Sequence, residues 1–434
     1  MRIGIVTAVY EPVINGVTRM VALYREYLEA AGHEVTIFTI GDSAESDDDH
    51  VIRSPGFEVG DHGYYLTVRY SKEAQKMLRQ MDILHCHHLF MSVEMAHRYG
   101  RCPIIYTNHT RYDLYANTWM NLPQPTADAI MRTVWPSFCD YSDLVITPSE
   151  SVRQVMLEFG VRKPIEVIEN GLKLQPFYQP SNPCTKTELG IPETAVLMMY
   201  VGRVSPEKSL ETVIEQYTIA RDIVPNLHLM IIGKGPSEEE LKLQAKQTGF
   251  DDQIHFTGPV HFNDVPNYMA AADLFVTASV SEVHPLTVIE AMAAGNPIVA
   301  VSSPGIVDTV ETGKTGILTT RPDGGLAAAM VGLALNEKQR QEMSVAALEA
   351  SKKYNIERTI DRTLTLYQQL HEERPDLQRK KMHGRRLFDR ERIQPFVSQL
   401  GRILKPTDFL TENFDWNGGK VSSSDKHHDH WPQP

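Results

Sequence analysis

Long hydrophobic runs are missing from this 434-residue chain. None approaches the roughly 18 residues that a membrane-spanning helix needs; the longest, such as 195–202, are strand-sized. Cysteine is scarce. Cys86, Cys102, Cys139 and Cys184 show no C-x-x-C spacing, which excludes a zinc ribbon or a disulfide framework and predicts a reducing, cytosolic compartment. Positive charge is in deficit, with 43 Lys plus Arg against 55 Asp plus Glu and a net charge of −12. That balance speaks against general nucleic-acid binding. No repeat of solenoid period is present. The opening Met-Arg-Ile-Gly-Ile-Val enters a strand pattern at once, so no secretory leader is expected.

What is there is an ordinary globular mixture, 42% apolar and 23% charged, which excludes a disordered or collagen-like chain. The length allows about two or three domains. Segments 2–8, 35–40, 83–86, 103–107, 144–147 and 165–168 read as strands, and 17–31 reads as a helix stopped by Gly32. Strands alternating with helices imply βαβ units and a parallel sheet. Residues 172–192 carry Pro176, Pro180 and Pro183 without periodicity and read as a linker. The alternation then restarts with strands at 196–201, 227–232, 253–256, 274–277, 297–301 and 316–318, and helices at 207–221 and 286–294. The predicted architecture is therefore two doubly wound α/β domains facing a cleft, where ligands bind beyond the carboxyl ends of the strands. The predicted boundaries are 1–171, a linker 172–192, 193–354, a helix 355–372 returning to the first domain, and a basic, amphipathic extension 373–434.

Four loops that follow strands carry the candidate chemistry. In 10–17, Gly16 lets backbone amides approach an anion at a helix start; the alternative is an ordinary βα turn. In 202–208, Arg203 and Lys208 flank a turn and can set two cations against a diphosphate. Cations at a helix start are unfavourable unless an anion is bound; the alternative is two surface cations. In 281–290, Pro285 suits the first turn of a helix, placing Glu282 in the loop and Glu290 inside the helix. The two carboxylates then act separately, as acceptors for polyol hydroxyls, with the amides of Leu286 and Thr287 facing phosphate. In 107–110, His109 lies at a strand's carboxyl end, facing the cleft; the alternative is a structural histidine.

The Gly-Arg-x-x-x-x-Lys stretch at 202–208 and the Glu-x7-Glu stretch at 282–290, followed by Ala-Met-Ala-Ala-Gly-Asn-Pro-Ile-Val-Ala, resemble the retaining nucleotide-sugar glycosyltransferases of family four, which have the GT-B fold. Further matching pieces are Ile-Ile-Gly-Lys-Gly-Pro at 231–236, Phe-Thr-Gly at 256–258 and Gly-Lys-Thr-Gly at 313–316, so the resemblance spans roughly residues 1–370. It implies that Arg203 and Lys208 bind the donor diphosphate, Glu290 the ribose and Glu282 the transferred hexose. It also implies that the Gly16 amide packs against phosphate, that His109 sits beside the hexose and stabilises the transition state, and that Gly233 and the backbone near Val260 line the nucleoside pocket. Pro285 stands where the family usually has Gly, which removes one amide donor, and Pro304-Gly305 replaces a common Gly pair.

The reaction implied is hexosyl transfer with retention from a nucleotide diphosphate sugar to an acceptor hydroxyl. No enzyme nucleophile is evident. Same-face attack is therefore expected, with the departing phosphate oxygen taking the acceptor's proton and with catalytic roles for His109, Glu282, Arg203 and Lys208. No cofactor and no metal site are expected. Asp47, Asp48 and Asp49 read as a solvated loop, and residues 85–88 (His-Cys-His-His) as polar lining of the acceptor cleft rather than a zinc site.

The Pro-x-x-Asn-Gly-Val opening loop and the 82–88 and 108–112 segments are similar to the subgroup that glycosylates diacylglycerol, implying a lipid acceptor. The alternatives are a soluble sugar, a sugar phosphate or a polyprenyl-linked glycan as acceptor, an epimerase, or a non-catalytic sugar-nucleotide binder. Residues 376–405 carry nine cations against three anions, a net of +6, and then apolar residues at helical spacing. Such a segment suits an anionic membrane surface, and it also suits a helix packed on the enzyme's own body. The expected location is cytoplasmic, peripheral on the inner face of a membrane.

Overall fold

The structure is a computed structural model that describes residues 1–59, 64–67, 69–115, 123–320 and 324–373. The basic segment 376–405 lies outside the described residues.

Within residues 1–171, strands β1 (Arg2–Val6), β2 (Glu34–Ile40), β3 (Val51–Ser54), β6 (Ile83–Cys86), β7 (Ile104–Thr107), β8 (Leu144–Thr147) and β9 (Ile165–Val167) form one parallel sheet, ordered β3-β2-β1-β6-β7-β8-β9. A separate antiparallel hairpin joins β4 (Phe57–Val59) to β5 (Tyr64–Leu66). A second parallel sheet, ordered β12-β11-β10-β13-β14-β15, comprises β10 (Val196–Val201), β11 (Leu227–Ile232), β12 (Ile254–Gly258), β13 (Leu274–Thr277), β14 (Ile298–Val301) and β15 (Gly316–Thr319). The central strands β1, β6, β7, β10 and β13 are apolar nearly throughout because helices cover both sheet faces. Every residue of β10 is buried, and each such Val, Leu or Met contributes roughly 1.5–3 kcal/mol of transfer free energy.

Register sets where the site forms. Val6 lies abreast of Phe38 and Cys86, Cys86 abreast of Tyr106, and Thr107 abreast of Ile146. The loops that follow these strands therefore leave the sheet along one rim. The helix Gly16–Ala30 begins there. Asn15 caps it by accepting from Val17 and Thr18 N–H at 2.9 Å, while Thr18 Oγ1 accepts from Asn15 N–H. Met20, Val21, Tyr24 and Leu28 supply its buried face, and Gly32 ends it at a φ of +83°.

The helix Ile356–Glu373 closes on the first sheet's core, burying Ile356, Ile360 and Tyr367 beside Ile3, Tyr24 and Ile83. Tyr24 Oη and Thr363 Oγ1 are hydrogen-bonded at 3.1 Å, and Arg362 pairs with Glu169 at 2.6 Å.

Three features differ from the sequence reading. Strand β3 and the β4–β5 hairpin were not anticipated, nor was the helix Gly325–Leu335, which is apolar all round and so carries no 3.6-residue stripe. The expected helix 207–221 is broken: Pro206–Lys208 form one 3-10 turn, Ser209 takes a left-handed φ of 51°, and the α-helix runs Leu210–Ile223. The acidic run is not simply solvated. Asp47 pairs with Arg53 at 2.6 Å and Asp48 with Arg25 at 2.5 Å, and these cations hold both carboxyls below the usual range.

Candidate active site

Loops after β1, β7, β8 and β9 of the N-terminal lobe converge on one segment of the C-terminal lobe, residues 281–287. A Cβ on Gly16 would lie 3.7 Å from Leu286 Cδ1. Tyr115 approaches Lys208, Glu282 and Ser281. Ser149 Oγ donates to Val283 O at 2.8 Å, and Asn170 Nδ2 to His284 O at 3.5 Å. Ser151 Oγ bonds Asp308 and also accepts from Gly305 N–H at 2.7 Å. Gly305 is required there: its φ is +85°, and a Cβ would sit 2.5 Å from Val283 O and 2.6 Å from Glu282 O.

Lys208, at the end of the 3-10 turn after β10, places Nζ 2.7 Å from Glu282 Oε1. Ser279 Oγ donates to the same oxygen at 2.8 Å. Burial works against the ammonium, but Glu282, Tyr200 and Tyr115 outweigh it and raise the Lys208 pKa. Burial likewise opposes the Glu282 carboxylate, and Lys208 with Ser279 outweighs it and lowers that pKa. The pair is charged at neutral pH. Arg203 does not join it: its side chain is exposed and makes no ion pair among the described residues.

Glu290 sits inside the helix Leu286–Ala293, as the sequence predicts, and is 2% exposed. Arg19, from the helix Gly16–Ala30, crosses to it with Nη2 2.5 Å from Oε1. Pro285 stands at the N-cap rather than in the first turn, with φ −74° and ψ 108°. Its carbonyl accepts from Val288 and Ile289 N–H at 3.2 and 3.3 Å. The earlier N–H groups, on Leu286 and Thr287, are the first-turn donors that helix geometry leaves over. His284, between the two functional segments, is buried with neither ring nitrogen partnered; it meets Tyr354 edge-on, and burial lowers its pKa to about 3.

Gly233 N–H donates to Gly258 O at 2.9 Å, two residues before Val260. Gly233, at φ +136°, lies against the backbone after β10, where a Cβ would meet Gly202 O at 1.9 Å. Val260 lines an open cavity of about 350 Å³ with Pro259, His261, Tyr268, Asn182 and Cys184.

His109 stands two residues past β7 and is partly exposed. Its Nε2 is 2.9 Å from His87 Nδ1, and the two rings lie nearly parallel, 5.1 Å apart. Burial lowers the His109 pKa to about 3, assisted by His88 and His85. Of residues 85–88, which the sequence suggests as polar cleft lining, His85, Cys86 and His87 are buried and His88 is partly exposed. His85 is fully buried and bonded at both nitrogens, to Tyr367 Oη and Thr107 Oγ1 at 2.6 Å. His88 turns the other way, to Thr7 Oγ1 and Ala8 N–H. Among the described residues no group of three or more His, Cys, Asp or Glu is arranged to hold a metal, and no helix is long and apolar enough to cross a membrane.

Sequence reasoning missed Arg19, Tyr115, Ser149 and Ser151. Their partners are remote in the chain, 134 residues away for Ser149 and 271 for Arg19, and none carries a local motif.

Residues 14–175 match the family model described as Glycosyltransferase Family 4, and residues 183–350 match Glycosyl transferases group 1. The chain is 30% identical over 336 residues to the alpha-monoglucosyldiacylglycerol synthase of Acholeplasma laidlawii, covering 73% of this chain and 84% of that one. It is 29% identical over 333 residues to the alpha-monoglucosyldiacylglycerol synthase of Streptococcus pneumoniae, covering 73% and 75%. In fold it is similar to Anabaena HepE in complex with UDP and glucose, with a TM-score of 0.69 at 20% identity over 85% of this chain and all of that one.

Proposed function

Because the chain belongs to the family-four glycosyltransferases, we propose that it moves a hexose, with retention, from a nucleotide diphosphate sugar to the free hydroxyl of diacylglycerol. In this reading residues 1–171 form the acceptor lobe and 193–354 the donor lobe. The observation that carries it is the charged Lys208–Glu282 pair in the segment where four N-terminal loops meet.

An arriving diphosphate draws Lys208 from Glu282, since it offers more negative charge than one carboxylate. Arg203 closes on the same phosphates, and the amides of Gly16, Leu286 and Thr287 add donors. Glu282, released, accepts hydroxyls of the hexose. Glu290 accepts the ribose hydroxyls, sharing its carboxylate with Arg19. The nucleoside lies along the backbone of Gly233 and Val260, and Pro285 leaves the phosphate one amide short. As the anomeric bond lengthens, charge gathers on the leaving diphosphate, where the fixed cations sit. The acceptor hydroxyl attacks from that same face and gives its proton to the departing oxygen. His109 lies beside the hexose.

The alpha-monoglucosyldiacylglycerol synthases among its relatives support glucose as the sugar and diacylglycerol as the acceptor. A lipid acceptor makes the inner face of a membrane the workplace, and the +6 segment 376–405 supplies attraction to anionic lipid. Thermal-shift titration with UDP, GDP, ADP and their glucose conjugates tests the donor assignment. One nucleoside diphosphate should raise the midpoint strongly; no shift with any of them overturns it. Flotation on anionic liposomes of the full chain and of residues 1–375 tests the membrane assignment, which fails if both float equally.

A further inference from the structure

Resting on the assignment of His109 to the sugar site, we infer that His87 is a positioning residue: it donates from Nδ1–H to His109 Nε2 and so fixes His109 as the Nδ1–H tautomer, a hydrogen-bond donor toward an oxygen of the bound sugar or its phosphate.

The geometry limits the choices. His87 Nδ1 and His109 Nε2 are 2.9 Å apart, so one proton lies between them. Both rings are neutral, because burial lowers both pKa values, that of His109 to about 3. Each ring therefore carries one proton, and two arrangements remain. In one, His109 Nε2–H donates to His87, and His87 must hold its own proton on Nε2. That nitrogen is buried and has no partner, so the arrangement strands an N–H in the interior. In the other, His87 carries its proton on Nδ1 and only a bare nitrogen is stranded. Orphaned buried N–H groups are the rarer and costlier case. The second arrangement wins, and His109 then carries its proton on Nδ1.

Turning the His87 ring away would give up its one bond among the described residues, to His109. His85, bonded at both nitrogens, lies 4.2 Å from His87 ring to ring, and Tyr24 meets both rings edge-on at 5.2 Å. His87 is 1% exposed, whereas His109 is partly exposed. Nδ1 is thus the ring nitrogen of His109 left for a ligand. A donor there matches an oxygen lone pair on the substrate, and it stays a donor across physiological pH.

The test is two-bond ¹H–¹⁵N spectroscopy of the full chain with labelled histidine, His109 being assigned from the signals lost in His109→Gln. The expected wild-type pattern is a protonated Nδ1 and a bare Nε2 on His109; the reverse pattern overturns the proposal, with no variant of His87 needed. His87→Leu should let His109 move toward the Nε2–H form and lower kcat roughly tenfold, less than the loss of a whole transition-state donor, with the donor KM little changed. His87→Asn, whose amide can donate from nearly the same place, should restore most of both. A kcat loss in His87→Leu without a tautomer change also contradicts the proposal. Failure of the transferase assignment is read separately, by whether the wild-type enzyme turns over donor and acceptor at all.

Discussion

Arg19 Nη2 reaches 2.5 Å from Glu290 Oε1, joining the first helix of one lobe to a carboxylate buried in the other. The carboxylate is 2% exposed and cannot be left charged without a cation. Arg19 also lies 5.7 Å from the Phe262 ring. The pair thus ties the lobes together through the residue assigned to the donor ribose.

Arg19→Met should lower stability by about 2 kcal/mol, less than a fully buried pair would lose because Arg19 retains some solvent contact. Urea unfolding measures this, and an unchanged midpoint contradicts the role given to the pair.

Lys208→Ala removes the cation proposed to face the leaving group and leaves Glu282 without its ion pair. Turnover should fall at least about a hundredfold, and the thermal upshift given by nucleoside diphosphate should shrink. Steady-state kinetics that find near-normal kcat refute the assignment of Lys208.

Acid should destabilise the fold early. His85, His109 and His284 are pushed down by burial to about 3, His88 to about 4, and His87 well below its ordinary value. The unfolded chain takes up protons near 6.5 where these sites do not. The stability they confer is complete above about pH 6.5 and is lost as pH falls toward the folded values, at up to about 1.4 kcal/mol per group per pH unit. Urea midpoints should fall steeply from pH 7 to 5; a flat profile contradicts neutral burial.

Glu94 carries the opposite sign. Burial raises its pKa to about 7 although Met91 N–H donates to Oε1 at 2.6 Å, and Oε2 is buried without a partner. The folded state keeps this proton where the unfolded state has lost it, so stability drains as pH rises from about 4.5 to 7. Glu94→Gln should stabilise the protein at pH 8 by up to about 3 kcal/mol and have little effect at pH 4. Equal effects at both pH values exclude the titration.

Two glycines separate steric need from propensity. Gly233→Ala drives a Cβ to 1.9 Å from Gly202 O at a φ of +136°, and should cost more than about 3 kcal/mol. Gly332 lies in the helix Gly325–Leu335 with nothing within 4 Å of the added atom, and Gly332→Ala should stabilise by about 0.5–1 kcal/mol. Denaturant titration of both variants checks the contrast.

The two parallel sheets were legible because a strand buried on both faces must be apolar end to end, as in β10. The helix holding Glu290 was legible from Pro285, which serves the N-cap just as it suits a first turn, and the helix starts at Leu286 as the sequence reading has it. Arg19 was not legible: nothing local distinguishes it from any other cation on an amphipathic helix, and its partner is 271 residues away. His85 misled for a related reason. A polar residue on a strand next to two further histidines reads as cleft lining, yet Tyr367 from the returning helix and Thr107 satisfy it in the core. The break at Ser209 followed no glycine signal, because a serine holds the left-handed position.

The central claim is tested most directly by incubating the enzyme with diacylglycerol and labelled UDP-, GDP- or ADP-glucose, then reading the anomeric configuration of any glycolipid by proton NMR. One donor should yield labelled lipid with the α configuration of its sugar kept, and Lys208→Ala should yield almost none. A β-linked product, or neither glycolipid nor released nucleoside diphosphate with any donor, contradicts the account.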